Sequence, residues 1–262
     1  MVKLNKIDLI SHINRIEDKN EIRKVIDKLE IVLKNYTVES TDFLNPHEIN
    51  LAISVLNRFK DEISYKIYGG YVDAESSIII IYPQFLKSID NDFIDIFKFK
   101  TNIKIKHSDI LGSLMGLSID RRKIGDILIG ENFTYFFVKR EIASFVEYNL
   151  TKISKYNICL EKVDNDEKID IPQHDYYYKT IIASSFRIDN LISKIFNISR
   201  SKVKKMILSE LVKVNFSIET RPHYELEEGD LVSVRKHGRF RVYNVKGNTK
   251  KGNYVIEFRL NK

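Results

Sequence analysis

The sequence predicts an α+β protein, and three patterns along the chain support this fold class. Apolar residues recur with a helical period through the first 65 positions. Strand and helix patterns then alternate over residues 76–165 in the order ββαββαβ, which is typical of a small α+β sandwich. Two short helices followed by several strands fill the C-terminal third. We therefore expect a helical N-terminal region, an α+β middle domain and a C-terminal domain with a helix pair on a small antiparallel sheet, at residues 1–70, 71–172 and 173–262.

The N-terminal region is expected to be helical throughout residues 1–65. Apolar residues in segment 22–33 keep a spacing of three and four, which places them on one helix face. Asn45, Pro46 and Glu48 have the pattern of a helix start, with an N-cap residue, a proline at the first position and a glutamate for a capping box.

The middle domain is expected to begin within a double-glycine loop, Tyr68–Glu75. We interpret this loop as a turn between domains, because the sequence contains no phosphate-binding glycine pattern. The basic cluster Arg121–Lys123 is expected in a loop, where it either contacts RNA or is solvated. The acidic segment Val163–Pro172 is expected to connect to the last domain.

The predicted strands of the middle region are Ser77–Tyr82, Phe93–Phe99, Asp126–Ile129, Thr134–Val138 and Ile158–Lys162, and the predicted helices begin at Ser108 and Lys139.

Two short helices in tandem organise the C-terminal domain. The first has an apolar face with helical spacing between Ile188 and Phe196. The second begins at Ser199, a plausible N-cap, and its apolar residues are expected to point inward. Asp189 is interpreted as a helix cap that accepts from backbone N–H groups and complements the helix dipole. The residues of the second helix expected to face away from the core are Arg200, Lys202, Lys204 and Lys205.

Strands are expected on both sides of this helix pair. Three consecutive tyrosines, Tyr176–Tyr178, precede it in an extended segment. They either stack nucleic-acid bases or pack alternate rings on the core, and we favour core packing. The strands predicted after the helices are Leu211–Asn215, Leu231–Arg235, Gly238–Val242 and Tyr254–Leu260.

The net positive charge of the chain comes from its C-terminal third. The formal net charge is +7, but residues 176–262 alone carry 18 basic and 8 acidic residues, or +10, so the remainder carries −3. A basic module on a nearly neutral body is typical of nucleic-acid binding, because neutralising phosphates releases counterions. A solvated basic surface without a partner is the alternative.

Several classes of protein are disfavoured by composition. A single cysteine excludes an internal disulfide framework, and the six histidines have no metal-binding spacing. The chain shows no apolar run of membrane-spanning length and no signal-peptide core, so we expect a cytoplasmic protein that does not insert into membranes. We expect no cofactor.

The C-terminal motifs resemble the alpha-L RNA-binding domain first seen in small-subunit ribosomal protein S-four. The resembling elements are Arg187-Ile188-Asp189, Ser199-Arg200, Val212–Asn215 and Glu228–Val234, in the family's order. Two glycines of the family pattern are replaced here, by Glu210 and Phe216.

Further motifs extend the resemblance over nearly the whole chain. Tyr68–Glu75, Ile110–Leu117 and Arg121–Ile127 are similar to the YlmH family of bacteria. That resemblance implies an RNA-recognition-like middle domain and the alpha-L domain. It also implies association with the large ribosomal subunit, action on nascent chains still attached to transfer RNA, and a link to cell division.

These expectations lead to a hypothesis of a non-catalytic protein that binds structured ribosomal RNA. The expected partners are the large ribosomal subunit and its RNA, with transfer RNA as a possible further ligand. The alternatives are an RNA-modifying enzyme, with Asp189 as a pseudouridine synthase-type aspartate, and an interaction scaffold for cell division. The residues predicted to contact RNA are Arg187, Arg200, Lys202, Lys204, Lys205, Lys213, Asn215, Arg235, Lys236, Arg239 and Arg241.

Overall fold

The chain divides into two compact units, Met1–Pro172 and Gln173–Lys262. Among the described residues, no helix has both the length and the apolar character needed to span a membrane. His174 and three residues of the predicted acidic connection, Asn165, Asp166 and Lys168, lie outside the described part of the chain. The computed structural model describes residues 4–90, 92–101, 105–164, 167, 169–172 and 176–261.

The first unit begins with helices α1 (Lys6–Leu9), α2 (Ile16–Asn35) and α3 (Pro46–Leu56), and α3 continues into a 3₁₀ turn, Asn57–Phe59. The apolar face predicted for segment 22–33 is buried in α2, which confirms that pattern.

The capping box predicted for α3 is also present. The Asn45 side chain accepts from the backbone N–H of Glu48 at 3.1 Å, and the Glu48 carboxylate accepts from the N–H of Asn45 at 2.9 Å.

A three-stranded antiparallel sheet packs with these helices, so the expectation of an entirely helical segment 1–65 is wrong. Its strands β1 (Glu39–Ser40), β2 (Ile63–Tyr68) and β3 (Ile78–Pro83) are ordered β1-β3-β2. The isoleucines of β3 are buried on both faces of the sheet. Residues 63–68, where the sequence predicts helix, form strand β2 because they pair with β3. Their β-branched and aromatic side chains suit a sheet.

The middle of the chain forms a second antiparallel sheet, and β3 is not part of it, so the predicted ββαββαβ order does not describe one sheet. The strands are β4 (Ile94–Lys100), β5 (Ile124–Ile129), β6 (Phe133–Lys139), β7 (Lys152–Ile153), β8 (Tyr156–Asn157) and β9 (Glu161–Lys162). The sheet order is β5-β6-β4-β9, and a short hairpin, β7-β8, lies outside it. Helices α4 (His107–Gly116) and α5 (Arg140–Asn149) accompany the sheet, with a 3₁₀ turn at Arg121–Lys123.

Both faces of this middle sheet are buried. Phe97 and Phe136 share one core cluster with the apolar residues of α4 and α5. On the other face, Phe137 lies in a cluster with Phe43 and Ile80 of the N-terminal part. The described part of this sheet therefore exposes no aromatic face of the kind that RNA-recognition domains use to stack bases.

The double-glycine loop packs against this region. A Cβ atom at Gly70, where φ is +92°, would lie 2.5 Å from the Phe137 ring. The Asp126 carboxylate accepts from the Tyr71 hydroxyl at 2.8 Å and from the backbone N–H groups of Glu75 and Ser76. Burial and the Asp126 charge raise the pKa of Tyr71. These contacts give the loop a structural role.

Two residues of the basic cluster Arg121–Lys123 form internal ion pairs, and Arg121 donates to the carbonyl of Ile124. Arg122 donates two hydrogen bonds of 2.8 Å to the buried Glu48, and Lys123 pairs with Asp42 and Glu141. The alternative of a simply solvated turn is therefore wrong for Arg122 and Lys123, and contact of this cluster with RNA stays a prediction.

The second unit is a six-stranded antiparallel sheet with two helices on one face, as the sequence predicts. Its sheet order is β10-β15-β14-β13-β11-β12. The helices α6 (Ile188–Phe196) and α7 (Arg200–Leu208) share one core cluster with the sheet. The strands are β10 (Tyr176–Ala183), β11 (Val212–Val214), β12 (Ser217–Ile218), β13 (Leu231–Val234), β14 (Gly238–Asn248) and β15 (Tyr254–Asn261).

The prediction that the three tyrosines pack alternate rings on the core is wrong. Tyr176, Tyr177 and Tyr178 are 39%, 43% and 52% exposed. They begin the edge strand β10, and the buried residue of that strand, Ala183, lies at its other end.

Backbone geometry explains the family's glycines at the two replaced positions. Glu210 has a φ of 59° and Phe216 a φ of 69°, both in the left-handed region that glycine adopts most readily. The fold is kept, and these positions hold strained side-chain-bearing residues.

The strain predicts a stabilising substitution. Glu210→Gly should raise the free energy of unfolding of the C-terminal unit by about 0.5–1 kcal/mol, because the left-handed penalty exceeds the entropy that glycine adds to the unfolded chain. Chemical denaturation measures this. Ser209→Gly is the matched control. Because Ser209 has a φ of −90°, glycine relieves no strain there and should only lower the free energy of unfolding. Equal destabilisation by both glycines would contradict the strain.

A buried lysine gives the first unit a pH dependence. Lys139 is 3% exposed and donates to the Ser40 hydroxyl and the Thr41 carbonyl. Burial lowers its pKa to about 8. Because the unfolded chain then holds more protons, stability rises as pH increases from about 8 towards the ordinary lysine value of about 10.4.

The wild type should therefore gain about 1.5 kcal/mol of stability relative to Lys139→Met between about pH 8 and pH 9.5. Denaturant titrations across that range measure the difference, and the exposed Lys60→Met serves as control. Parallel curves for wild type and Lys139→Met would show that Lys139 does not titrate there.

Candidate nucleic-acid interface

A buried carboxylate joins the two helices of the C-terminal unit. Asp189 is fully buried in the first turn of α6 and receives two hydrogen bonds from each of two arginines. Arg187 donates from Nε and Nη2 at 3.2 and 3.1 Å, and Arg200, the first residue of α7, donates from the same atoms at 3.1 and 3.0 Å. Neither pair uses an Nη1 atom, so each guanidinium keeps an edge for another acceptor.

The interpretation of Asp189 as a helix cap is wrong. The N-cap residue of α6 is Arg187, and it makes no side-chain capping bond. Burial acts to raise the pKa of Asp189, but the hydrogen bonds and charges of Arg187 and Arg200 outweigh it and lower the pKa. The carboxylate therefore stays ionised and fixes the direction of both guanidinium groups.

Helix α7 presents its lysines to solvent as predicted. Ser199 caps it by accepting from the N–H of Lys202 at 3.4 Å, which confirms the predicted helix start. Val203, Met206 and Ile207 are buried. Lys202, Lys204 and Lys205 are exposed. We call Arg187, Arg200, Lys202, Lys204 and Lys205 together the helix-pair surface.

Asn215 has an internal role. Its amide nitrogen donates to Asp230 at 2.7 Å, and its amide oxygen accepts from the N–H of Leu231 at 2.9 Å. Asp230 also accepts from the N–H of Glu227. These bonds tie the turn after β11 to the start of β13 and explain why the motif needs an asparagine and a Gly-Asp pair at this separation.

Two predicted cations lie on the opposite side of the sheet from the helices. Val232 and Val234 of β13 are buried under the helix pair, so Ser233 between them faces the other way. Ser233 lies opposite Lys213 on β11 and opposite Arg239 on β14. Both side chains therefore belong to the sheet face away from α6 and α7, which we call the open face.

The open face continues across the remaining strands. Arg241 lies opposite Arg259 on β15, and Arg259 lies opposite Tyr178 on β10. Arg241 donates from Nη1 to the carbonyl of Gly229 at 2.7 Å. Its buried Nε has no hydrogen-bond partner among the described residues.

The predicted set therefore falls into two surfaces, a turn and the internally bonded Asn215. Arg235 and Lys236 are exposed in the turn between β13 and β14, where Lys236 has a φ of 67°. Sequence reasoning missed Arg259 and Tyr243. The alternation of Glu257 and Arg259 with buried apolar residues in β15 could have indicated Arg259. A β-bulge displaces Tyr243, and no sequence pattern marks it.

Within the described ranges, no group of three or more His, Cys, Asp or Glu side chains is arranged to hold a metal ion.

Three family models match successive parts of the chain. One described as "YlmH, N-terminal" matches residues 17–85, and one described as "Putative RNA-binding domain in YlmH" matches residues 90–167. The S4 domain, which is the alpha-L domain, matches residues 186–232. Strands β10, β14 and β15 lie outside that last match.

Two individual proteins are similar to this chain. "Ribosome-associated protein quality control protein P2" of Bacillus subtilis (strain 168) is 29% identical over 260 residues, which cover 97% of this chain and 99% of the relative. The solved structure "Cell division protein ylmH from Streptococcus pneumoniae" aligns with a TM-score of 0.52 and 25% identity, covering 60% of this chain and 97% of that one.

The buried carboxylate makes a prediction for stability. Asp189→Asn should lower the free energy of unfolding of the C-terminal unit by about 2 kcal/mol or more, because both arginines lose a charged acceptor. Chemical denaturation measures the loss. Asp230→Asn is the control, since it changes a half-buried motif carboxylate that accepts from the Asn215 amide and the N–H of Glu227, and should cost less. An Asp189→Asn variant as stable as the wild type would show that the carboxylate does not hold the helices.

Proposed function

The chain belongs to the YlmH family of RNA-binding proteins, as its sequence predicts, and on this basis we propose that it binds structured ribosomal RNA on the large ribosomal subunit without catalysing a reaction. There it acts in ribosome-associated quality control, together with peptidyl-tRNA. The name of the Bacillus subtilis relative supports a part in ribosome-associated quality control, and the name of the Streptococcus pneumoniae structure supports a connection with cell division.

The helix-pair surface is the observation that carries the proposal. Three exposed lysines and two arginines lie on a pair of short helices, and a buried carboxylate fixes both arginines. Cations in a fixed arrangement suit the phosphates of folded RNA, which proteins recognise mainly through shape and backbone. Release of counterions from those phosphates supplies the driving force.

The state of Asp189 supports a binding role over an RNA-modifying enzyme. A catalytic aspartate must reach the reacting base, whereas Asp189 has no exposed surface and both of its oxygens accept hydrogen bonds from arginines. The carboxylate therefore orients Arg200 and does not meet substrate. Mass mapping of ribosomal RNA from a deletion strain tests this point, since a single missing modification would favour the enzyme.

In the first unit, the middle sheet and the basic cluster Arg121–Lys123 are used in internal contacts. The middle sheet is buried on both faces, and Arg122 and Lys123 are used in ion pairs with Glu48 and Asp42. RNA contact in the proposal therefore rests on the C-terminal unit.

Charge reversal on α7 tests the proposal. Lys204→Glu combined with Lys205→Glu should weaken binding to large ribosomal subunits by about tenfold or more at physiological salt, because the variant neutralises fewer phosphates and so releases fewer counterions. The slope of log affinity against log salt should become shallower by about 0.7–0.9 for each phosphate that the variant no longer neutralises. Co-sedimentation with purified large subunits over a range of salt concentrations measures both quantities.

These two lysines are preferred to Arg200, because reversing Arg200 would also disturb Asp189 and the fold. The matched control is Lys60→Glu with Lys87→Glu, which makes the same change in net charge at exposed positions of the first unit. Unchanged co-sedimentation of the α7 variant, or equal loss in the control, would refute a specific role for the helix-pair surface.

A further inference from the structure

The open face of the C-terminal sheet combines exposed aromatic rings with arginines. Tyr176 and Tyr178 of β10 alternate with residues that face the helices, and Tyr243 lies in the β-bulge of β14. Tyr178 and Tyr243 are 52% and 45% exposed. Because these large rings remain half exposed to solvent, burial in the core does not explain their presence on this face.

The rings are held in a defined arrangement. Those of Tyr178 and Tyr243 meet edge to face above β15, with centroids 5.0 Å apart and 63° between their planes. The guanidinium of Arg259 lies 4.3 Å from the centroid of the Tyr176 ring. The tyrosine pair, and the Arg259 guanidinium over the face of the Tyr176 ring, are therefore in place before any ligand binds.

The charge of the open face indicates an anionic ligand. Lys213, Arg239, Arg241 and Arg259 share this face, as the register of the strands shows. An acidic residue on the same face, Glu257, pairs with Lys246.

We propose that the open face is a second RNA site, which stacks unpaired bases on Tyr178 and Tyr243 and holds the adjoining phosphates with Arg241 and Arg259. It goes beyond the proposed function, because it is a different surface and takes single-stranded RNA. Aromatic side chains interleaved with cations are what proteins use to bind single strands, since every base has a face that stacks. Paired bases are excluded, because in a duplex they already stack on each other inside the helix.

Two RNA probes separate this site from the helix-pair surface. They are a short fluorescein-labelled oligouridine and a fully paired, blunt-ended RNA duplex, each titrated with the full-length chain. Tyr178→Ala combined with Tyr243→Ala should lower the affinity for oligouridine by about tenfold or more and leave duplex binding unchanged. Lys204→Glu combined with Lys205→Glu should mainly weaken duplex binding. A variant that loses only duplex binding therefore tests the proposed function, and a variant that loses only oligouridine binding tests this site.

Conservative variants test the chemistry. Tyr178→Phe combined with Tyr243→Phe should keep the affinity for oligouridine within about twofold, because phenylalanine also stacks on bases. Arg259→Gln should make the salt dependence of oligouridine binding shallower by about 0.7, the value for one neutralised phosphate on a single strand. Thermal unfolding of each variant shows whether it remains folded.

Photo-cross-linking of the wild-type chain to oligouridine that contains 4-thiouridine gives a result independent of any variant. Mass spectrometry should find the cross-links on peptides containing Tyr176, Tyr178 or Tyr243. Cross-links confined to α7 would overturn the proposal, as would oligouridine affinity that is unchanged in the folded alanine variant. The latter result would leave the open face to a protein partner.

Discussion

The C-terminal unit depends on one fully buried carboxylate held between two arginines. Asp189 lies in α6 and Arg200 begins α7, so their hydrogen bonds fix the relative placement of the two helices. A buried charge is tolerable only when it is paired and hydrogen-bonded, and here four bonds provide that pairing. Two guanidinium groups share one carboxylate, so the cluster keeps a net positive charge. The interaction that joins the helices thus also leaves Arg187 and Arg200 oriented cations at the surface.

The two large sheets of this protein differ in how many of their faces are buried. The middle sheet places helices on one face, and Phe43 and Ile80 belong to the cluster on its other face. The C-terminal sheet has helices on one face and exposes tyrosines and arginines on the other. An antiparallel sheet can leave one face solvated, because its residues alternate between core and solvent. The aromatic sheet surface that an RNA-recognition-like middle domain leads one to expect is therefore buried, and the C-terminal unit offers one instead.

Local patterns predicted the helices well and the pairing of strands poorly. The capping box at Asn45 and the N-cap at Ser199 depend on neighbours within three residues, and both are confirmed. The assignment of β3 to the N-terminal sheet depends on distant partners that no short window contains. The same distinction applies to the candidate site. Helical periodicity correctly placed the lysines of α7 at the surface, whereas the separation of Lys213 and Arg239 from them required the register of β13. Asp189 and Asn215 were assigned other roles because Arg200, Asp230 and Leu231, which bind them, lie 11 to 16 residues away along the chain.

The two cationic surfaces differ in what holds their charges, and this difference bears on the RNA that each can take. On the helix-pair surface, Arg200 is fixed by Asp189. The neighbouring cations are exposed lysines of α7, a helix that contains no aromatic residue. Such a surface matches phosphates that the RNA itself holds in place, as in a folded helix. On the open face, Arg259 lies against the Tyr176 ring, and Tyr178 contacts Tyr243. Rings can bind only bases that are not already paired and stacked, so this side suits a flexible strand. Because the sheet separates the two faces, one domain can hold a folded RNA element on its helices and an unpaired segment on its strands at the same time.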